Sequence, residues 1–267
     1  MMKNIFYKIW TVWCVLILLL VLVLVFPVLA IMLWLGGEKC IRPVNVVIKA
    51  LPSIGLFLFR MHPEIYFESR PEERPCVYIS NHRSFLDVLL ALYLAKRGVR
   101  FLGKVEAFSW PVIGFFATKL GHIPVKRESK EARAESYEIM KTIAEKGASI
   151  FLFPEGKIPM DDKLLHNFRP GAFRLAIDTQ QPLVVITMIN AGVLMPSIGF
   201  SLRPGKTINY VSSAIETKGM TEDDIPVLME RARQIMQANL QKHYPDNRYP
   251  INFNPEDYTH MKLPYED

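Results

Sequence analysis

The sequence predicts an α/β domain, with a largely parallel central sheet flanked by helices, carried behind an N-terminal membrane helix or helical hairpin. Three features predict it. Short apolar, β-rich runs alternate with segments of helical period from Cys76 to His243. No charged residue occurs from Thr11 to Leu35. A second apolar stretch, Val44–Phe59, follows at once. The chain divides accordingly into a membrane-inserting segment (1–60), an α/β domain (61–243) and a C-terminal tail (244–267).

The first apolar run holds 25 residues. At about 1.5 Å of rise each, that exceeds the ~30 Å hydrocarbon core of a bilayer. Trp10, Trp13 and Trp34 lie near its ends, where indoles prefer the interface. A cleavable signal peptide is the alternative, with Lys3 and Lys8 as its basic start and Val28-Leu29-Ala30 as a cleavage site. The length of the run, which continues past Ala30, favours retention. Val44–Phe59 is broken by Lys49 and Pro52 and is short for a span. It suits a re-entrant or interfacial helix, with Lys49 and Arg60 reaching lipid headgroups, or a buried helix of the domain.

Within the domain, strands are predicted at Cys76–Ser80, Arg100–Gly103, Ile123–Val125, Ser149–Phe153, Leu183–Met188 and Thr207–Val211. Helices are predicted at Phe85–Lys96, Trp110–Leu120, Glu128–Lys146, from Gly171 to Thr179, and from Thr221 to about His243. The polar tail from Tyr244 is expected to lie over the surface.

The 267 residues are 50% hydrophobic, which excludes a disordered chain. Cys14, Cys40 and Cys76 form no CxxC pair, so neither a disulfide scaffold nor a cysteine zinc site is indicated. The net charge of +6 is unevenly placed. Residues 1–60 hold six Lys/Arg against one Asp/Glu, and residues 61–127 hold ten against six. Residues 128–174 are balanced and 175–267 are acidic. A basic half that flanks apolar runs points to lipid headgroups and anionic substrates rather than nucleic acid.

Polar residues follow the predicted strands, where α/β sheets bind ligands. His82 and Asp87 follow the first of them. On one regular helix their spacing turns about 140°, which separates them. With His82 in the strand–helix loop and Asp87 in the first helical turn, they can meet, and the carboxylate orients a general base. Ser84-x-x-Asp87 is equally a helix-start pattern. Lys104 ends another strand, Lys126 and Arg127 follow a third, and Phe153-Pro154-Glu155-Gly156-Lys157 follows the most apolar one. No G-x-S-x-G elbow, H-E-x-x-H spacing or G-x-G-x-x-G loop occurs. Gly205-Lys206-Thr207 lacks the first glycine of a phosphate loop, whose place Phe200 takes.

The order of these motifs resembles the glycerolipid acyltransferase family, in its bacterial 1-acyl-sn-glycerol-3-phosphate branch. The series is Asn81-His82-x4-Asp87, Gly103-Lys104-x-Glu106, Gly121–Arg127, Phe153-Pro154-Glu155-Gly156, Phe168-Arg169-Pro170-Gly171 and Pro182-Leu183-Val184. The resemblance implies acyl transfer from acyl-CoA or acyl carrier protein to a lysophosphatidic acid hydroxyl, with no further cofactor and no metal. It implies His82 as base, Asp87 as its orienting partner and Arg127 on the acceptor phosphate. Lys104, Glu155, Gly156, Lys157 and Arg169 join the substrate site. It also implies a bacterial inner-membrane location with the site facing the cytoplasm. The family commonly continues Phe-Pro-Glu-Gly with Thr-Arg, where this chain has Lys157-Ile158. Either Lys126, Lys157 or Arg169 replaces that arginine, or the acceptor differs, for example a lyso-aminolipid. A thioesterase and a non-catalytic lipid binder are the competing classes.

Overall fold

A computed structural model describes residues 2–94, 99–119, 121–126, 129–197 and 201–250. Two long helices come first, α1 (Met2–Gly36) and α2 (Ile41–Leu58), joined by a 3-10 turn at Gly37–Cys40. Then follow β1 (Met61–Phe67), β2 (Val77–Ser80), α3 (Leu86–Leu94), β3 (Val99–Lys104), α4 (Val105–Phe108), α5 (Pro111–Lys119), β4 (Ile123–Val125) and α6 (Lys130–Glu145). The second half holds β5 (Ser149–Leu152), α7 (Gly171–Asp178), β6 (Leu183–Ile189), α8 (Ala191–Leu194), β7 (Gly205–Val211) and α9 (Ile225–His243).

The described strands form one seven-stranded sheet in the order β1-β7-β6-β2-β5-β3-β4. Every neighbouring pair is parallel except β6 with β7. Parallel neighbours need crossovers, and helices supply them on both faces. Alternation along the strands divides the core in two. Val77, Ile79, Ile150, Leu183 and Val185 pack with α6, α7 and α9 on one face. Phe101, Phe151, Val184, Ile186 and Met188 pack with α3 and α8 on the other. Central β6 is buried at every position, as a strand covered on both faces must be.

The chain goes from β2 outward to β3 and β4. It returns to place β5 beside β2, then crosses to β6 on the other flank of β2. The carboxyl ends of β2, β5 and β6 therefore meet at one place, the position where open α/β sheets hold ligands.

Three expectations change. Met61–Phe67 forms a strand that the sequence pattern hides. It carries Pro63, which an edge strand tolerates, and it pairs in parallel with β7 along its whole length. The tail does not simply lie over the surface, because Tyr244 and Tyr249 are buried in the core facing α9. Val44–Phe59 belongs to an amphipathic α2, neither free of the domain nor enclosed by it. Val44 and Leu56 are buried, and Val46 and Phe57 are exposed. Lys96, Leu120 and residues 251–267 fall outside the described residues.

The first helix is tied to the domain at two places. Near its start, Thr11 Oγ1 accepts from Leu202 N (2.8 Å), and Arg203 lies 5.2 Å from the Tyr7 ring centroid. Further along, Phe26 packs edge-on against Phe115 and Phe116 of α5. Thr11 and Phe26 are about 22 Å apart along the helix. Between them Leu16, Leu19, Leu20, Val23 and Leu24 are exposed.

Candidate active site

The apolar run of β2 ends at Ser80, and the next seven residues build the centre of the site. Asn81 is fully buried. Its Nδ2 donates to Met188 O (2.8 Å), and its Oδ1 accepts from Met188 N (2.8 Å). The side chain thus acts as one more strand residue for β6 and holds the turn that follows.

His82 lies in that turn and Asp87 in the first turn of α3. Their separation is 3.1 Å, from His82 Nδ1 to Asp87 Oδ2. The loop-plus-first-turn arrangement brings together residues that a continuous helix would separate. Asp87 Oδ2 also accepts from Arg83 N (2.5 Å) and Ser84 N (2.7 Å). Ser84 Oγ accepts from Leu86 N (3.0 Å), completing a helix cap. One carboxylate therefore starts the helix and orients the imidazole. The structural and functional readings of Ser84-x-x-Asp87 hold together.

With Nδ1 turned to Asp87, the opposite nitrogen, Nε2, is the one positioned for a substrate proton. Phe153 lies flat against the imidazole, with ring centroids 3.9 Å apart and planes inclined by 14°. The stacked ring holds the plane of the imidazole.

Glu155 corrects the sequence reading, which placed it against the substrate. It is buried, and its oxygens are taken by backbone amides. Oε1 accepts from His82 N (2.9 Å) and Oε2 from His166 N (3.1 Å). It ties the loop after β2 to the loop after β5. Burial raises its pKa, against the opposing pull of those two amides and of Arg83.

Gly156 has φ +77°, where a side chain is strained, and an added Cβ would sit 2.7 Å from Arg169 Nε. The Arg169 guanidinium thus lies against this turn, and Arg169 N donates to Pro154 O (2.8 Å). Two motifs 13 residues apart in sequence are joined here. Lys157 is exposed beside the turn, whereas Ile158, at the usual arginine position, is buried. Lys104 is exposed at the end of β3 and Lys126 just after β4. At about 4.8 Å per strand, the end of β3 lies about 10 Å from the end of β2. Arg127 lies outside the described residues.

Sequence reasoning missed three neighbours. Arg83, inside the quoted motif, is buried and donates from Nη2 to Asp161 O (2.6 Å). Its guanidinium lies 4.4 Å from the Tyr249 ring centroid. His166 and Asp161 form a second His–Asp contact on the rim, 2.8 Å from Nε2 to Oδ1. Burial works to raise the pKa of Asp161, but its bond to His166 and nearby charge leave it lowered. The same five-residue spacing, in reverse order, was the available signal. Among the described residues no three His, Cys, Asp or Glu side chains converge as a metal site.

Residues 62–189, from β1 to the end of β6, match the family model described as Acyltransferase. A chloroplastic 1-acyl-sn-glycerol-3-phosphate acyltransferase of Brassica napus is 36% identical over 154 residues, covering 57% of this chain and 44% of that one. The human 1-acyl-sn-glycerol-3-phosphate acyltransferase beta is 26% identical over 208 residues, covering 72% of each chain. The chain spans about half the length of the first curated relatives it matches. The crystal structure of the 1-acyl-sn-glycerophosphate acyltransferase of Thermotoga maritima shares the fold. Its TM-score is 0.77 at 18% identity, covering 93% of this chain and 100% of that one. The region that matches the acyltransferase model encloses the His82–Asp87 pair and the turn at Glu155, and the relatives it resembles are acyltransferases.

Proposed function

We propose that the protein moves a fatty acyl group from acyl-CoA or acyl carrier protein to the free hydroxyl of lysophosphatidic acid, giving phosphatidic acid. The observation that carries this reading is the 3.1 Å contact between His82 Nδ1 and Asp87 Oδ2 at the carboxyl end of the sheet. The activity for which the relatives are named supports the choice of reaction.

In the reaction the acceptor hydroxyl gives its proton to His82 Nε2 as its oxygen forms a C–O bond to the thioester carbonyl carbon. The tetrahedral intermediate collapses with cleavage of the C–S bond. The thiolate leaves and takes the proton from the imidazolium, which restores His82. A thiolate is a good leaving group near neutral pH, so proton donation to it contributes little. Asp87 stabilises the imidazolium while it exists. Base catalysis supplies roughly 10²–10⁴-fold, and holding two substrates together supplies more. No covalent acyl-enzyme is needed.

Cations on the same edge support a phosphate-bearing acceptor. The buried Ile158 cannot serve that role, and Arg169, lying against Gly156, replaces it with Lys126 and Lys157. The test compares lysophosphatidic acid, monoacylglycerol and a lyso-aminolipid as acceptors of a labelled acyl-CoA. At least tenfold preference for lysophosphatidic acid is expected. Preference for the lyso-aminolipid would move the activity to that acceptor class. Thiol release indifferent to all three would mark a thioesterase.

The exposed apolar stripe of α1 supports seating on a membrane surface. We propose the cytoplasmic face of the bacterial inner membrane, where the thioester donors occur. Because α1 follows the domain for about 22 Å, that stripe enters lipid while its other side stays on protein. Leu20→Lys with Leu24→Lys should abolish flotation with anionic phospholipid vesicles. Unchanged flotation would contradict the seating.

A further inference from the structure

Tyr249 belongs to a segment, Tyr244–Pro250, that follows the last helix and returns across the carboxyl edge of the sheet. It is bonded to three separate loops there. Tyr249 N donates to Asp162 O (2.7 Å), and the Tyr249 hydroxyl accepts from Gly192 N (3.0 Å). The Tyr244 hydroxyl donates to Asn190 Oδ1 (2.9 Å). Arg248 bridges to Lys163 in antiparallel fashion. The loops after β5 and β6 are thereby held to one another.

The third loop is the one carrying His82. The buried Arg83 guanidinium lies over the Tyr249 ring at 4.4 Å. Its other contacts are Asp161 O, and the Asp161 carboxylate at 3.9 Å. A guanidinium shielded from water gains most from an aromatic face. Arg83 N in turn is one of the three donors that fix Asp87 Oδ2.

We infer that this segment is a strap, and that Tyr249 is a positioning residue for the His82–Asp87 pair, acting through Arg83. The ring fixes the Arg83 side chain, the Arg83 backbone fixes the Asp87 carboxylate, and the carboxylate fixes the imidazole. Tyr249 itself is buried and reaches the pair only through Arg83. A filler of the apolar core would give stability alone, whereas a positioning residue sets kcat.

This inference rests on His82 as the base of acyl transfer, so its test carries one arm that does not need activity. The full chain in detergent micelles is compared as wild type, Tyr249→Leu and Tyr249→Phe. Transfer from acyl-CoA to lysophosphatidic acid is followed by thiol release. Amide hydrogen exchange is followed in peptides covering 81–87 and 183–189. Tyr249→Leu is expected to lower kcat at least tenfold with KM for lysophosphatidic acid within twofold. It should also speed exchange in 81–87 at least tenfold and leave 183–189 unchanged. Tyr249→Phe keeps the ring and is expected to stay within twofold of wild type in both readouts. Wild-type exchange of 81–87 in Tyr249→Leu would overturn the strap. So would faster exchange spread equally over 183–189, or an equal loss in Tyr249→Phe. If the wild-type protein does not acylate lysophosphatidic acid, the proposed reaction fails, and the exchange arm still decides the strap.

Discussion

Along the carboxyl edge of the sheet, one half of the site is buried and bonded to backbone, and the other half is exposed. Asn81, Arg83, Asp87 and Glu155 make up the buried half. Lys126, Lys157 and Arg169 belong to the exposed half. Proton transfer needs atoms held within a fraction of an ångström, and backbone amides and carbonyls hold them. An anion can be met by a long cationic stem that keeps its head hydrated until the ligand arrives. The two halves should therefore fail differently: loss on the buried side appears in kcat, and loss on the exposed side appears in KM.

The largest expected effect belongs to Asp87. Asp87→Asn should lower kcat about 10³-fold, because the amide can no longer stabilise the imidazolium or fix its tautomer. Rapid-mixing or steady-state thiol release measures it, and a loss confined to KM would break the comparison. Glu155→Gln comes next. The single amide oxygen can accept from His82 N or from His166 N but not hold both as the carboxylate does. One buried N–H is left unpaired at a cost of about 1–3 kcal/mol. Transfer should fall roughly tenfold to a hundredfold with KM nearly unchanged.

On the exposed side, Lys126→Ala and Arg169→Ala should each raise KM for lysophosphatidic acid about threefold to tenfold, with kcat within twofold. A phosphate-free acceptor should show no such change. A matching loss with that acceptor would show that these cations serve the fold.

The smallest effect concerns His122, on the exposed half but itself enclosed. Burial, and secondarily Arg100, lower its pKa to about 4, and Nδ1 accepts from Phe101 N (3.2 Å). Above pH 6.5 the ring is neutral in both folded and unfolded chains. Below it the unfolded chain takes a proton that the folded chain refuses down to about pH 4. Stability is therefore lost as pH falls through this window, at up to about 1.4 kcal/mol per pH unit. His122→Asn keeps an acceptor for Phe101 N and should flatten that slope. Urea midpoints at pH 7.5, 6 and 5 for the two proteins check it, and parallel slopes would contradict it.

Much of the exposed half was legible in the sequence, because a cation after a short apolar strand is a local signal. So were the six strands with apolar runs, and the His82–Asp87 pair once loop and helix were told apart. Three features were not local. Met61–Phe67 carries His62, Pro63 and Glu64, and only β7, far along the chain, makes it a strand. Glu155 looked like a ligand group because it sits beside a glycine in a loop. Its partners are the amides of His82, in the loop after β2, and of His166, further along its own loop. Tyr249 sits in a polar stretch flanked by prolines, and its partners Arg83, Asp162 and Gly192 lie far back in the chain. In each case the deciding partner is remote in sequence, and spacing carries no trace of it.

His82 is the point on which the buried half converges. The direct measurement is transfer of a labelled acyl group from acyl-CoA to lysophosphatidic acid by the vesicle-bound wild-type protein and by His82→Ala. Loss of at least about 10³-fold in kcat, with vesicle binding and the urea midpoint retained, is the expected result. Transfer at the wild-type rate by His82→Ala would contradict His82 as the base.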